Sequence, residues 1–258
     1  GAELPAVIIN MMRGGPGLGT IQAGQADYFQ ATRSPGHGDG HMLVLAPASI
    51  QEAADLVAEA FDLADIYRNP VMILADGMIG QMMEPIVWRE REPVQLPKKD
   101  WAATGREAAG KTHFVTSLRL QSSQNELFNH ELMDKYQLMT QKEIRWEAYD
   151  CEDAQTIIVA YGTTARICQS AARKLRQEGI RAGVFRPISL WPYPYEDLRA
   201  LAAQNSVQSV LTVEMSLGQM VEDVRLALGG LKPTPFYGRT GGMIPETDQV
   251  ADKVRQIL

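Results

Sequence analysis

Arg13 directly follows an apolar run, PAVIINMM (residues 5–12), and directly precedes four glycines in six residues, GGPGLG (14–19). An arginine at a strand tip can hold a carboxylate through two parallel N–H···O bonds. Glycines admit positive φ and let the backbone approach a ligand closely. Three readings arise: a phosphate cradle, a flexible connector, or a turn that brings backbone and Arg13 up to a substrate. The phosphate-loop pattern GxxxxGK[ST] puts Gly14 and Gly19 in register, but Thr20 stands where lysine is needed. GPGLG is spaced GxGxG, not GxGxxG, and no acidic residue ends a neighbouring strand about 20 residues on. Ligands of open α/β sheets bind beyond the carboxyl ends of strands, where this loop lies. A ligand-facing loop and a plain turn with a surface arginine both stay open on pattern alone.

Other candidates are weaker. SPGHGDGH holds His37, Asp39 and His41, conceivable as metal ligands but reading first as a Gly/Pro loop. His37 could face a site as a proton carrier. His113 and His130 belong to no constellation. Asp76 ends an apolar run and reads as a ligand contact or as the cap of the turn after it; Glu214 reads as a cap for a helix starting near Gly218. Met78, Met82 and Met83 read as packing residues. No G-x-S-x-G elbow, no H-E-x-x-H and no acid–base carboxylate pair can be placed, so no catalytic residue and no metal site is assigned. The chemistry then needs a partner or a further part of the protein.

The elements that must position the loop follow from periodicity. PAVIINMM, HMLVLAP (41–47) and VMILAD (71–76) read as buried strands. Between the last two, Ser49 reads as an N-cap with Glu52 completing a capping box. Ile50, Ala53, Ala54, Val57, Phe61 and Ala64 then form one helical face. Strand, helix, strand is a βαβ unit and implies a parallel sheet. Residues 84–125 read as an extended surface segment, and 126–150 as a connecting helix with Leu132, Tyr136, Met139 and Ile144 near one face. From 156 on, four strands (TIIVAYG, RAGVFRPISL, SVLTVEMS, PTPFYGR) alternate with four helices, a second α/β unit. Thr163 or Thr164 is the expected cap of its first helix. The first unit offers only three strands, fewer than doubly wound sheets use, and the chain starts at Gly1 close to its first strand. Both features are read as those of a fragment whose upstream half-domain is missing, with uncovered sheet edges that favour an oligomer.

The 258 residues suffice for a large buried core, and the net charge of −6 argues against nucleic acid. Cys151 and Cys168 form no CxxC pair, which argues against an iron–sulfur cluster or zinc ribbon on this chain and fits a reducing cytoplasm. No apolar run approaches the ~20 residues of a membrane span.

ELPAVIINMMRGGPGLGTIQAGQADYFQAT and GHGDGHMLVLAPASIQEAADLVAEAFDLADIYRNPVMILADGMIGQMME strongly resemble the alpha subunit of the 2-oxoacid:ferredoxin oxidoreductases, and most the 2-oxoisovalerate (branched-chain) type. VAYGTTAR, FRPISLWPYP and VEMSLGQMVEDVR extend the resemblance into a transketolase C-terminal-like domain. The resemblance implies an α/β fold in three parts: residues 1–90 as the latter part of a pyrimidine-binding domain for thiamine diphosphate, 91–150 as linker and connecting helix, and 151–258 as the transketolase-like domain. It implies CoA-dependent oxidative decarboxylation of a 2-oxoacid. Arg13 matches the arginine that contacts the substrate carboxylate, and Gly14, Gly15, Gly17, Gly19 and Thr20 match the cofactor-proximal loop. Pyrophosphate and Mg²⁺ are expected on a beta subunit. Iron–sulfur clusters and coenzyme A are expected in a complex with gamma and ferredoxin-like delta subunits. The pyruvate and 2-oxoglutarate types, another thiamine enzyme of transketolase kind, and a non-catalytic assembly module are the alternatives.

Overall fold

The computed structural model describes residues 1–33, 36–103, 105 and 112–258. Their elements are, in chain order, β1 (Ala6–Met12), α1 (Tyr28–Thr32), β2 (Leu43–Leu45), α2 (Ile50–Tyr67), β3 (Pro70–Asp76), α3 (Ser122–Lys142), β4 (Trp146–Tyr149), β5 (Thr156–Val159), α4 (Gly162–Gln177), β6 (Ala182–Pro187), β7 (Ser189–Trp191), α5 (Tyr195–Ala202), β8 (Ser209–Glu214), α6 (Met220–Leu228), β9 (Phe236–Gly238) and α7 (Thr247–Ile257). They form two sheets, ordered β1-β3-β2-β7 and β4-β6-β5-β8-β9. Each is parallel except for one antiparallel edge strand, β7 in the first and β4 in the second. The expected α/β class is the observed one, and the βαβ unit of β2, α2 and β3 is parallel as expected.

The sheets share a core. Side chains alternate across a strand, so Leu43 and Leu45 pack under α2 and α3, while Met42, Val44 and Ala46 join a cluster with Val159, Val210 and Met220 from the second unit. In β5, Ile157 and Val159 belong to that shared cluster, and Ile158 faces α4 and α7.

Four expectations need correction. RAGVFRPISL, read as one strand, divides: β6 pairs with β5, and β7 crosses to pair antiparallel with β2. Both segments are buried and extended, so periodicity cannot show the crossing at Ile188, whose carbonyl accepts from Ala46 N–H. Thus β7 covers one edge of the first sheet, and β1 remains at the other. The connecting helix ends at Lys142, and 146–149 is strand β4, held at the sheet edge by pairing with β6 and by Trp146 stacking on Phe185 at 5.2 Å between centroids. The buried stripe of α2 is Leu56, Ala60, Leu63, Ala64 and Tyr67, whereas Phe61 is 60% exposed. Met83 is not packed but 98% exposed.

Residues 84–103 and 112–121 carry no helix or strand beyond a turn. The first of these runs is tied to α2 by Val87 N–H to Gln51, by Arg91 to Asp62 and by Lys99 to Asp65. Most of TGREAAGK and residues 34–35 of SPGHGDGH lie outside the described residues. No described helix is long and apolar enough to cross a membrane.

Candidate functional site

The chain leaves β1 at Met12, which is buried, and Arg13 emerges exposed at the carboxyl rim of the sheet. A narrow loop follows. Gly14 N–H donates to Gln22 O at 2.8 Å, Thr20 N–H to Gly14 O at 2.8 Å, and Arg13 bridges to Ala23 in antiparallel fashion. The loop closes because position 19 has no side chain. Gly19 sits at φ +47°, and a Cβ there would stand 1.9 Å from the Gly14 oxygen.

The guanidinium of Arg13 folds back over this loop. Nη1 donates to the carbonyls of Leu18 and of Thr20 (3.1 Å), and Nη2 donates to Gly17 O at 3.3 Å. Among the described residues Arg13 makes no ion pair with an acidic side chain. Carbonyl dipoles orient the cation without cancelling its unit charge, so it can still attract an anion. Leu18 and Ile21, 91% and 77% exposed, form an apolar outer rim, and residues 14–24 contain no other charge. Cavities of about 470 and about 380 Å³ lie elsewhere, one walled by Glu52, Arg166 and Arg186 and the other by His41, Trp191 and Tyr195.

The other sequence candidates separate into structural roles. Asp76 is buried and caps two turns: Oδ1 accepts from Met78 N–H (3.2 Å), and Oδ2 accepts from Thr163 N–H (2.8 Å) at the start of α4. Burial pushes its carboxyl up, against those donors, which pull it down. Glu214 is the expected cap of α6. Its oxygens accept from Gln219, Met220 and Val221 N–H at 3.1, 3.1 and 2.9 Å, and burial again raises its pKa. Neither Thr163 nor Thr164 caps α4; their hydroxyls donate to Asp76 and to Gln25.

His37 and Asp39 are exposed, while His41 stacks on Trp191 with centroids 4.7 Å apart. Cys151 and Cys168 are buried, and burial pushes the Cys151 thiol up to about 12, so both behave as small apolar groups. Among the described residues no group of three His, Cys, Asp or Glu side chains is placed to hold a metal ion.

Residues without a sequence signal join the loop to the second unit. Gln25 is buried and bonded to Tyr161, Thr164 and Met215. Gln219 donates to Ala26 O at 2.7 Å and accepts from Phe29 N–H at 2.8 Å. Asp223, buried, accepts from Tyr28 Oη (2.6 Å), Tyr195 Oη (2.5 Å) and Arg33 (3.0 Å). A polar residue in a polar stretch carries no sign of such a partner. Asp223 reads simply as acidic first-turn helix chemistry.

A largely parallel α/β sheet with a glycine loop and an exposed arginine at its carboxyl rim defines the class: an α/β chain with a candidate ligand-facing loop at one sheet edge. Residues 1–158 match the family described as pyruvate flavodoxin/ferredoxin oxidoreductase, thiamine diP-binding, and residues 154–250 match pyruvate:ferredoxin oxidoreductase core domain II. The ketoisovalerate oxidoreductase subunit VorB of Methanothermobacter marburgensis is 45% identical over 257 residues, covering 100% of this chain and 72% of the relative. The 2-oxoglutarate synthase subunit KorA of the same organism is 29% identical, covering 98% of this chain and 73% of its own length. In three dimensions the chain is similar to a 2-oxoglutarate:ferredoxin oxidoreductase from Magnetococcus marinus, with a TM-score of 0.80 and 22% identity over 99% of this chain and 49% of that one. The chain belongs to the 2-oxoacid:ferredoxin oxidoreductase family, as one subunit of a multi-subunit oxidoreductase.

Proposed function

We propose that this chain forms part of an enzyme that oxidatively decarboxylates a branched-chain 2-oxoacid, 2-oxoisovalerate, with coenzyme A as acyl acceptor and ferredoxin as electron acceptor. The observation that carries the reading is the 45% identity, over the whole chain, to a ketoisovalerate oxidoreductase subunit. The loop chemistry supports it. Arg13 offers a single positive charge for the carboxylate every 2-oxoacid carries. The rest of residues 14–24 is uncharged, with Leu18 and Ile21 outermost, which suits an aliphatic substrate better than a second carboxylate.

Thiamine diphosphate, when bound, supplies the carbon nucleophile and electron sink that decarboxylation of a 2-oxoacid requires. The residues present fit only one end of it. The glycine loop and Arg13 provide a substrate-facing wall, with Gly14, Gly15, Gly17, Gly19 and Thr20 forming the close backbone approach. As the family resemblance implies, we assign the pyrophosphate–Mg²⁺ clamp to a beta subunit, and the iron–sulfur clusters to gamma and delta partners. The division into pyrimidine-type residues 1–90, linker 91–150 and transketolase-like residues 151–258, in a cytoplasmic enzyme, is part of the same proposal.

The test is a substrate profile of the assembled native complex. Coenzyme A-dependent dye or ferredoxin reduction is measured with 2-oxoisovalerate, pyruvate and 2-oxoglutarate. The expected result is the highest kcat/KM with 2-oxoisovalerate. A preference for 2-oxoglutarate would transfer the chain to the other branch, and no reduction with any of the three overturns the reading.

A further inference from the structure

Gln25 ends the loop segment that begins at Arg13, and it is fully buried. Its Nε2 donates to Tyr161 O at 3.0 Å, and its Oε1 accepts both Thr164 Oγ1 at 3.0 Å and Met215 N–H at 3.0 Å. Its backbone is held by the same neighbours. Gln25 N–H donates to Met215 O at 2.8 Å, and Tyr161 Oη donates to Gln25 O at 3.2 Å. Tyr161 lies just beyond β5, Met215 just beyond β8, and Thr164 in the first turn of α4. One residue of the first unit is thereby tied to three segments of the second. All of them lie at the carboxyl rim of the second sheet.

A second contact acts on the far arm of the loop. A Cβ on Gly14 would stand 2.6 Å from Gly242 N, and one on Gly242 would stand 2.6 Å from Thr20 Cγ2. The turn at 241–242 therefore lies against the loop backbone. Because the guanidinium of Arg13 is bonded to the loop's own carbonyls, moving the loop moves the cation with it.

We propose that Gln25 is a positioning residue: the second unit, acting through Gln25, sets where the glycine loop holds Arg13 against the 2-oxoacid. This rests on the proposed function of the loop. It adds that the transketolase-like unit shapes substrate affinity without touching substrate. Buried hydrogen bonds fix a single geometry because breaking any one leaves a desolvated group unpaired. A displacement of about 1 Å in a binding group has a large kinetic effect.

The experiment uses the assembled complex with Gln25→Met, which keeps side-chain length and removes the three side-chain hydrogen bonds. Apparent KM for the 2-oxoacid is expected to rise about 10-fold with kcat within about 2-fold of wild type. Thr164→Val, which removes one of the three bonds at constant volume, is expected to raise it about 3-fold, and it carries the test if Gln25→Met does not assemble. Amide exchange at Gly14, Thr20 and Gly24 should rise in both. In an Arg13→Ala background the Gln25→Met effect on KM should shrink below about 2-fold, since there is no cation left to misplace. Unchanged KM in both variants, or a full effect that persists without Arg13, overturns the proposal. If Arg13→Ala alone leaves KM unchanged, the carboxylate reading of the loop fails. The exchange rates then decide on Gln25, and rates equal to wild type overturn it.

Discussion

Asp76, the last residue of β3, grips Thr163, in the first turn of α4: Oδ2 accepts the Thr163 N–H at 2.8 Å, and Oδ1 accepts the Thr163 hydroxyl at 2.7 Å. A strand end of one unit thus caps a helix of the other. Thr163→Val keeps the N–H bond and the volume but removes the hydroxyl donor. It is expected to cost about 1–2 kcal/mol, read as a lower denaturation midpoint at unchanged slope. A midpoint equal to wild type would show the hydroxyl bond to be redundant.

Glu214 carries a pH dependence whose sign is fixed. Its folded pKa is raised above the ordinary 4.5 by burial. The folded chain therefore holds this proton where the unfolded chain has lost it, and stability from this group falls as pH rises through that window. Glu214→Gln has no such titration, and it turns amide hydrogens toward the N–H groups of α6. The variant is expected to be less stable than wild type by about 1–3 kcal/mol, with the gap narrowing from pH 4.5 upward. Thermal melts of both proteins between pH 4 and 8 check this, and a gap that widens with pH contradicts it.

Arg186 is buried and forms a two-bond pair with Glu52 at 2.7 and 2.6 Å, with Glu147 3.0 Å from its Nε. Removing only the anion strands a cation. Glu52→Ala is expected to cost about 3 kcal/mol or more, whereas Arg186→Met, which leaves two carboxylates that both reach solvent (23% and 44% exposed), is expected to cost less. Chemical denaturation ranks the two, and the reverse order would show that Glu147 suffices.

Arg13→Ala in the complex removes the charge proposed for the 2-oxoacid carboxylate. A charge-assisted hydrogen bond contributes about 1.5–3 kcal/mol, so apparent KM is expected to rise ~10–100-fold with a smaller change in kcat. Steady-state kinetics on the native substrate measures both.

Gly19→Ala places a methyl against the Gly14 oxygen at a φ that disfavours any side chain. The loop is exposed, so the melting temperature should move by less than about 5 °C. Turnover at low substrate should drop by at least about 10-fold, because the loop that holds Arg13 cannot close. Normal turnover would remove the loop's closed form from the mechanism.

Much of the architecture was legible from local chemistry. The apolar runs ending at Met12 and Asp76, the Ser49 cap, whose Oγ accepts Glu52 N–H at 3.1 Å, and the role of Glu214 as a helix cap are properties of a few neighbouring residues. Even there the capping box formed only in half. The Glu52 carboxylate turns to Ala48 N–H and to Arg186, a residue 134 positions away.

The sequence by itself determined the alternating strands and helices, the glycine loop with one cation at a strand tip, and the family to which those motifs point, because each is written in residues that touch along the chain. Only the tertiary structure decided that 189–191 leaves one sheet for the other, that Gln25 and Asp223 are buried between the units, and that Arg13 rests on the carbonyls of its own loop. The first two depend on which buried donor meets which acceptor across more than a hundred residues, a pairing no local spacing records; the third spans only a few residues but depends on the folded path of the loop, which turns three carbonyls toward one side chain.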